Sequence, residues 1–109
     1  MAIKLETIKK RSSFNYVRQN GNFIKGDFIS IQFFEDNKLN EIIAVGYITT
    51  KKLGNAVKRN KAKRLMRELA RKVILKYGKK NSYYVLIAKN SIFTTTFKML
   101  EIELKKLVS

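Results

Sequence analysis

A basic stretch in the middle of the chain is the first place where residue types and spacing could do chemistry. Residues 51–68 read KKLGNAVKRNKAKRLMRE and hold eight lysines or arginines against one acid, Glu68. Lysine and arginine bind phosphate, the first as a point charge and the second through a planar fork of donors. Because charge of one sign repels itself, such crowding favours a chain that works against a polyanion. The stretch therefore predicts a polyanion-binding site.

The composition excludes most catalytic chemistry by the protein itself. The 109 residues contain neither histidine nor cysteine. Disulfides, the usual zinc sites, and mechanisms that need an imidazole or a thiol are thereby excluded. Among the eight side-chain carboxylates only Glu35 and Asp36 are adjacent in sequence, within a predicted turn, and we predict no two-metal nuclease site. The net charge of +16 favours nucleic acid as the partner, ahead of an anionic membrane surface.

A long amphipathic helix is predicted to present the basic residues on one side. Between Asn55 and about Tyr77, apolar residues recur at spacings of three and four, as a helix that buries one stripe requires. The stripe consists of Ala62, Leu65, Met66, Leu69, Val73 and Tyr77. On the opposite side, a polar row consists of Asn60, Arg64, Arg67 and Arg71.

The charges of this helix are unfavourable for an isolated protein. Arg67 has like-charged neighbours one turn away on both sides, Lys63 and Arg71, and each such pair costs roughly 0.2–0.5 kcal/mol. At the helix start, where Asn55 is the predicted N-cap, each cation costs about 0.3–1 kcal/mol, and a bound phosphate would reverse that sign. The alternative, a lysine-rich surface that only keeps the protein soluble, stays open.

The rest of the chain predicts an α+β fold in one domain, residues 1–109. A helix over about residues 13–20, capped by Ser12 or Ser13 and stopped at Gly21, precedes the β-type runs DFISIQFF and IIAVGYITT. We interpret these runs as an antiparallel hairpin-like pair joined by EDNKLNE. Gly78 ends the basic helix, SYYVLIA predicts a third strand, and FTTTFKMLEIELKKLV a closing helix. AIKL is a weaker candidate strand, and we expect the helices on one face of a mixed sheet.

The basic stretch also resembles the signature of a known family. KKLGNAVKRNKAKRLMRE is similar to a segment of the bacterial ribonuclease P protein component, in which K-x-G-N-A-V runs into an RNR helix followed by K-R-x-x-R-E. IKKRSSFNYVRQNG resembles the family's N-terminal segment, and YYVLIAKN stands in the place of its final strand. The resemblance implies an αβββαβα arrangement with a mixed four-stranded sheet and a left-handed βαβ crossover, a ribosomal protein S5 domain 2-like fold.

The function that the resemblance implies is that of a subunit in a ribonucleoprotein. Ribonuclease P removes the 5′ leader of precursor tRNA, and its catalytic RNA carries out the cleavage with Mg²⁺ that is held mainly by the RNA. The protein would bind that RNA and the precursor tRNA without being catalytic, would need no organic cofactor, and would be monomeric when free. We expect a cytoplasmic location without a membrane partner, because neither an apolar span nor a signal sequence is present.

Two other functions remain as alternatives. A general structural RNA-binding or ribosomal-type module would also suit a small basic α+β domain. A peripheral membrane protein is disfavoured, because no helix joins the cationic face to exposed apolar anchors.

The resemblance and the charge pattern together imply two sets of site residues. The RNA-binding set is Lys51, Lys52, Asn55, Arg59, Asn60, Lys61, Lys63, Arg64, Arg67 and Arg71. The second set, a cleft for the single-stranded leader, is Phe14, Val17, Arg18, Ile31 and Phe33. Ile31 and Phe33 are weaker candidates, as is Tyr16. From spacing alone, a helix face in the core is the preferred interpretation of Phe14, which lies three residues before Val17.

Three positions depart from the family's pattern. Lys61 stands where the second arginine of RNR is usual, and Thr7 where an arginine is common. Lys61 keeps the charge but loses the bidentate fork. Arg18 stands where an aromatic residue is frequent, which replaces part of a stacking surface with a cation.

Overall fold

A computed structural model describes residues 4–108 and shows one mixed sheet with helices packed on it. The strands are β1 (Lys4–Thr7), β2 (Asn22–Ile24), β3 (Ile29–Glu35), β4 (Ile42–Ile48) and β5 (Ser82–Ala88). The helices are α1 (Arg11–Asn20), α2 (Ala56–Leu69), α3 (Leu75–Tyr77) and α4 (Phe97–Val108), and a π-helical turn, Ala70–Ile74, joins α2 to α3. Short 3₁₀ turns cover Asn37–Leu39, Lys51–Leu53 and Asn90–Thr94. The predicted α+β class is confirmed.

The strand order is β1-β4-β5-β3-β2, so the last strand in the chain lies in the middle of the sheet. β5 is parallel to β4 and antiparallel to β3. The predicted pairing of DFISIQFF with IIAVGYITT is therefore wrong, although the two strands do run in opposite directions. β5 separates them because its side chains are covered on both faces, which a central position provides.

The sheet has five strands within the described residues, one more than the resemblance implies. β1 accounts for the difference; it matches the candidate strand AIKL, of which residues 2 and 3 lie outside the described residues. The residue pattern alone missed β2, because three residues are too few to show an alternation. β4, α2 and β5 form a βαβ unit of parallel neighbours, as the resemblance implies, and the left hand of that crossover stays a prediction.

Helices cover both faces of the sheet, so the expectation that they share one face is wrong. On one face, which we call the α2 face, Met66 of α2 and Leu104 of α4 pack with alternate strand residues such as Val45 and Leu86. On the other, the α1 face, Val17 of α1 packs against Ala44 and Val85, the residues that point the opposite way. The fold is thus a three-layer arrangement with two apolar clusters.

The basic helix begins and ends as predicted, with one irregularity. The side chain of Asn55 accepts a hydrogen bond from the Lys58 amide at 3.1 Å, which confirms the N-cap, and Gly78 follows the last helical residue. In a regular helix Ile74 would lie about 100° from Val73, yet both are buried, because the π turn inserts a residue and shifts the phase. Tyr77, predicted in the buried stripe, is instead 39% exposed.

The predicted serine cap of the first helix is wrong. α1 begins at Arg11, one residue before Ser12, and Lys10 occupies the N-cap position without a side-chain hydrogen bond. Gly21 ends α1, as predicted, and its amide donates to the Val17 carbonyl at 2.7 Å.

A carboxylate of α4 holds the turn that leads into β3. Glu103 accepts hydrogen bonds from the amides of Asp27, Phe28 and Ile29 at 2.6, 2.9 and 2.8 Å. Backbone amides in a turn need hydrogen-bond acceptors that the strand pairing does not provide. The Glu103 carboxylate provides them here. The contact fixes α4 to the start of β3.

Candidate nucleic-acid interface

The outer side of α2 is a row of exposed polar side chains, as the sequence predicted. Ala62, Met66 and Leu69 have no exposed surface and face the sheet. The residues on the opposite side are all exposed: Asn60, Arg64, Arg67 and Arg71. We call these four residues the α2 row. Within it, the structure places one carboxylate near a guanidinium, Glu68 at 3.6 Å from Arg71, and both side chains are more than half exposed.

Tyr47 of β4 supports the inner edge of the α2 row. The Arg67 guanidinium lies over the Tyr47 ring, 5.8 Å from its centroid. Burial raises the pKa of Tyr47, and the charges of Arg67 and Arg71 oppose that rise. The phenol is therefore neutral at physiological pH, and the ring orients Arg67 without neutralising it.

The remaining RNA-binding candidates lie around the start and the flanks of α2. Lys51 and Lys52 belong to the 3₁₀ turn before the helix and are exposed, as are Asn55 and Lys61. Arg59 and Lys63 are half-buried, since they flank the apolar stripe, so they lie to the side of the α2 row. Gly54 has a φ of 125°, a conformation that favours glycine and turns the chain from the 3₁₀ turn into α2.

The parallel strands β4 and β5 both end beside this turn. A hollow of about 270 Å³ lies there, lined by Thr50, Lys52, Leu53, Ala88, Lys89 and Asn90. The sequence analysis missed Lys89. Its signal was topological: it directly follows β5, and the carboxyl ends of adjacent parallel strands lie at the same edge of a sheet.

On the α1 face, Phe14 lies over Gly46 of β4. A methyl group at Gly46 would overlap the ring edge, with Phe14 Cζ only 2.8 Å away, so the absence of a side chain makes room for the ring. Phe14 is half-buried, while Val17 is completely buried beneath α1. Phe14 can therefore offer part of its ring to a ligand, whereas Val17 forms the support beneath it.

Ile31 and Phe33, which the sequence analysis placed in the same cleft, lie on the other face. Ile31 has no exposed surface and belongs to the α2-face core. The Phe33 ring packs against Tyr84 at 5.1 Å between centroids. The prediction placed them on the wrong face of the sheet. Because side chains alternate between the faces along a strand, the α1-face residues of β3 are instead Ser30, Gln32 and Phe34.

The two flanks of α1 differ. On one flank, Tyr16 packs edge-on against Phe34 and Tyr83, with centroids 5.4 and 6.2 Å apart, and its hydroxyl donates to Asp36 at 3.3 Å. Leu39 packs against the same cluster. This flank is closed by rings and carries an acid, so it is unsuited to a polyanion.

The opposite flank is open and basic. Arg18 lies about 40° around the helix from Phe14, whereas Tyr16 lies about 160° away. The sheet residues on the Arg18 side are Gln32 of β3, Ile87 of β5 and Ile48 of β4, each half-buried. We call this surface, with Phe14 and Arg18 as its wall, the Arg18 groove.

Acidic residues are concentrated at one end of the sheet, although Lys38, Lys79 and Lys80 also lie there. Glu35, Asp36 and Glu41 lie where β3 ends and β4 begins, and the start of β5 pairs there with Glu35. At the other end, Lys51 and Lys89 follow β4 and β5. Because Ile48 is the last residue of β4, the Arg18 groove lies on the α1 face at this basic end of the sheet.

Comparison with known proteins decides the family. A family model described as Ribonuclease P matches residues 3–109. This chain belongs to the ribonuclease P family. The observation agrees with the resemblance of the basic stretch, which now lies on α2 and the turn before it.

Members of the ribonuclease P family are similar along most of this chain. The ribonuclease P protein component of Caldanaerobacter subterraneus subsp. tengcongensis is 32% identical over 109 residues, covering 99% of this chain and 90% of that protein. That of Caulobacter vibrioides is 34% identical over 92 residues, or 84% of this chain, and the match spans only 61% of that relative's length. The solved Staphylococcus aureus RNase P protein superimposes with a TM-score of 0.78 at 25% identity, covering 93% of this chain and 90% of that chain.

Two further properties of this ribonuclease P family member concern the described residues alone. Within residues 4–108, no three acidic side chains come together as a group that could hold a metal ion. Over the same residues, no helix is both long and apolar enough to cross a membrane.

Proposed function

We propose that this chain is the protein subunit of ribonuclease P and assists removal of the 5′ leader from precursor tRNA. Family membership supports the reaction, and the exposure of the α2 row and of part of the Phe14 ring supports a division of labour between two surfaces. The observation that carries the proposal is the one-sided exposure of the α2 row, on a helix that begins at the basic end of the sheet beside Lys52 and Lys89. In this proposal, residues 1–109 act as one RNA-binding domain that is monomeric when free and works in the cytoplasm.

The α2 row binds the catalytic RNA in this proposal. Its exposed guanidiniums, together with the lysines of the turn before α2, suit a phosphate backbone rather than base edges. Each phosphate contact releases counterions, so binding gains free energy at low salt and loses it at high salt. The like-charge pairs along α2 are relieved when phosphates lie between them, which explains why a folded protein carries them.

The Arg18 groove binds the leader. The part of the Phe14 ring that is not covered by Gly46 offers a surface on which an unpaired base can stack. Arg18 supplies a charge for the adjacent phosphate, or a flat cation for a base, and Gln32 offers an amide for hydrogen bonds. Ile48 and Ile87 form an apolar floor that accepts a base of any sequence.

The cleavage itself is assigned to the RNA. Mg²⁺ bound to the RNA would activate the attacking water and stabilise the developing charge. The carboxylates of the described residues do not fit a site for it, since no three of them gather. The chain's own residues hold the leader and place the basic end of the sheet against RNA phosphates, so they position the substrate without moving a proton or electron pair.

The test is cleavage of a precursor tRNA by purified bacterial ribonuclease P RNA at low, near-physiological Mg²⁺, with and without this protein. The proposal predicts that the protein restores formation of the mature 5′ end. A protein that binds the RNA tightly but never increases cleavage would instead be a structural RNA-binding module. The Lys38→Ala/Lys80→Ala double variant, which removes two cations at the acidic end of the sheet, serves as the control for net charge.

A further inference from the structure

The edge strand β2 exposes an aromatic ring that neither the core nor the proposed site uses. Phe23 is 60% exposed, more than any other aromatic residue among the exposed large hydrophobic residues described. It belongs to a three-residue strand that pairs only with β3, at the edge of the sheet. Burying so large a ring would stabilise the protein, so its exposure suggests an external ligand.

The register places Phe23 on the α1 face. Phe23 pairs with Gln32, and residues paired across two strands point to the same side. Its neighbour Ile24 pairs with Ile31 and joins the α2-face core instead. Phe23 therefore shares a face with Phe14 and with the Arg18 groove.

A strand of RNA that lies in the Arg18 groove is directed toward Phe23. The groove crosses β4, β5 and β3 in that order, and the next strand is β2. The floor of the groove follows the register row from Ile48 through Ile87 to Ser30, beside the row that α1 covers. Beyond Ser30 this row reaches the end of β2, where Lys25 follows Ile24 and Phe23 lies one register row away on the same face. Three strand spacings separate β4 from β2, about 14 Å, which is the reach of a few nucleotides.

The charge around Phe23 suits an RNA strand as well. Lys25, two residues further along the chain, is exposed. The acids Glu35 and Asp36 lie at the far end of β3, beyond the point where β2 pairs with it. Two nearer acids, Asp27 and Glu103, lie at the turn before β3, where the Glu103 carboxylate is occupied by the amides of residues 27–29. An exposed ring beside an exposed lysine is a combination on which single-stranded nucleic acids stack.

We propose that Phe23 and Lys25 form a second nucleotide-binding subsite for the leader, several nucleotides from the subsite at Phe14. This inference rests on the proposed function, because it extends the path of the same leader. An unpaired base stacks on the Phe23 ring, and Lys25 binds the adjoining phosphate. The subsite also offers an aromatic surface in a chain whose Arg18 stands where the resemblance has an aromatic residue.

The experiment measures the affinity of the holoenzyme, assembled with bacterial ribonuclease P RNA, for precursor tRNAs whose leaders are lengthened one nucleotide at a time. The variants are Phe23→Ala, Phe23→Trp and Phe14→Ala. Met99→Ala, a change of an exposed apolar residue on α4, is the matched control. Because stacking on an aromatic side chain contributes substantially per base, Phe23→Ala should weaken binding roughly fivefold or more, but only for leaders beyond a threshold length.

The outcomes separate the inference from the proposed function. Each alanine variant has a threshold, the leader length above which its binding is weaker than that of wild type. The inference is supported if the thresholds of Phe23→Ala and Phe14→Ala differ by several nucleotides. Phe23→Trp and Met99→Ala must also retain wild-type affinity. If Phe14→Ala weakens leader binding while Phe23→Ala matches wild type at every length, the second subsite is refuted and the groove stands. If the affinity of neither variant depends on leader length, the proposal that the Arg18 groove binds the leader is refuted.

A competing idea is that the edge strand β2 pairs with a second copy of the chain. Sedimentation of wild type and Phe23→Ala tests it; a dimer that forms in wild type and is lost in the variant would overturn the proposal.

Discussion

Replacing Arg64 and Arg67 together by alanine tests whether the α2 row is the RNA-binding surface. Both side chains are exposed, and neither lies within 4 Å of a carboxylate among residues 4–108. If each guanidinium neutralises one phosphate, each loss lowers the slope of log K against log salt by about 0.9. The double variant should therefore lose roughly two units of slope. Between about 50 and about 200 mM salt, wild-type affinity should fall about tenfold more than that of the variant.

The same change should leave the fold nearly as stable as before. The variant loses the contact of Arg67 with Tyr47 and the attraction of Arg64 to Glu68 one turn away. It also relieves the repulsion of Arg67 by Lys63 and Arg71, so the opposing contributions cancel to within about 1 kcal/mol. Urea unfolding measures this difference and shows whether a loss of binding comes from the surface rather than from unfolding.

The assay is a filter-binding titration with ribonuclease P RNA over a series of salt concentrations. Lys38→Ala/Lys80→Ala is the matched control, since it also lowers the net charge from +16 to +14 but acts at the acidic end of the sheet. The control should retain most of the wild-type slope. Equal slopes for wild type and the α2-row variant would place the RNA elsewhere, and equal losses in both variants would mean that net charge alone governs binding.

Four further changes follow from single contacts. Glu103→Gln should lower the free energy of unfolding by about 2–4 kcal/mol in urea, because an amide cannot accept from all three amides of residues 27–29 with the strength of a carboxylate. Gly46→Ala should cost roughly 1–3 kcal/mol and weaken leader binding, because the new methyl displaces the Phe14 ring. Asn55→Ala should cost about 1 kcal/mol in thermal unfolding by removing the cap of α2. Tyr84→Phe should lower the free energy of unfolding by about 1 kcal/mol at pH 7, because the Lys79 amide loses its hydrogen-bond acceptor. The difference in stability between this variant and wild type should become smaller above pH 10.

The direction of the pH dependence at Tyr84 follows from the pKa of its hydroxyl. Burial raises the pKa of Tyr84 above its ordinary value of 10.0. A group with a raised pKa stabilises the folded state below the unfolded value and loses that contribution as the pH rises through the folded value. Wild type should therefore lose stability above pH 10 that Tyr84→Phe does not lose. Parallel curves for the two proteins up to alkaline unfolding would refute this.

The other three predictions have matched controls. Glu101→Gln, on the same helix but without a contact to the turn, should be nearly neutral, and an equal loss there would mean that Glu103 acts only through its charge. For Gly46→Ala, unchanged leader binding would show that the position of the Phe14 ring is irrelevant. Asn55→Ser should retain the stability of α2, since serine also caps.

The helices could be predicted from the sequence far better than the sheet. The spacing of apolar residues between Ala62 and Val73 fixed which side of α2 faces solvent, because helical neighbours are set by local geometry. Asn55 and Gly78 marked the ends of the basic helix for equally local reasons. The π turn could not be predicted from the sequence, because it depends on the packing of Ile74 against the sheet.

The strand errors have a common physical cause. From Ile29 to Phe33, β3 alternates apolar and polar residues, and the apolar ones share the α2 face. Because helices cover both faces of the sheet, this alternation groups the residues by face but does not say which face α1 occupies. Ile31 and Phe33 were placed on the wrong side for this reason. The partner of a strand is likewise a long-range choice, which explains the wrong pairing of β3 with β4.

The position of β5 determines the order in which the sheet can assemble. Before β5 is available, the strands form two unconnected ladders, β1 with β4 and β2 with β3. β5 follows the other four strands along the chain, so a ribosome delivers α2 with its basic row before the strand that joins the two ladders. The floor of the Arg18 groove includes Ile87 of β5. Without β5 no strand pairing joins these two ladders, so the strands beneath α2 and those beneath α1 belong to one sheet only when the middle strand is inserted.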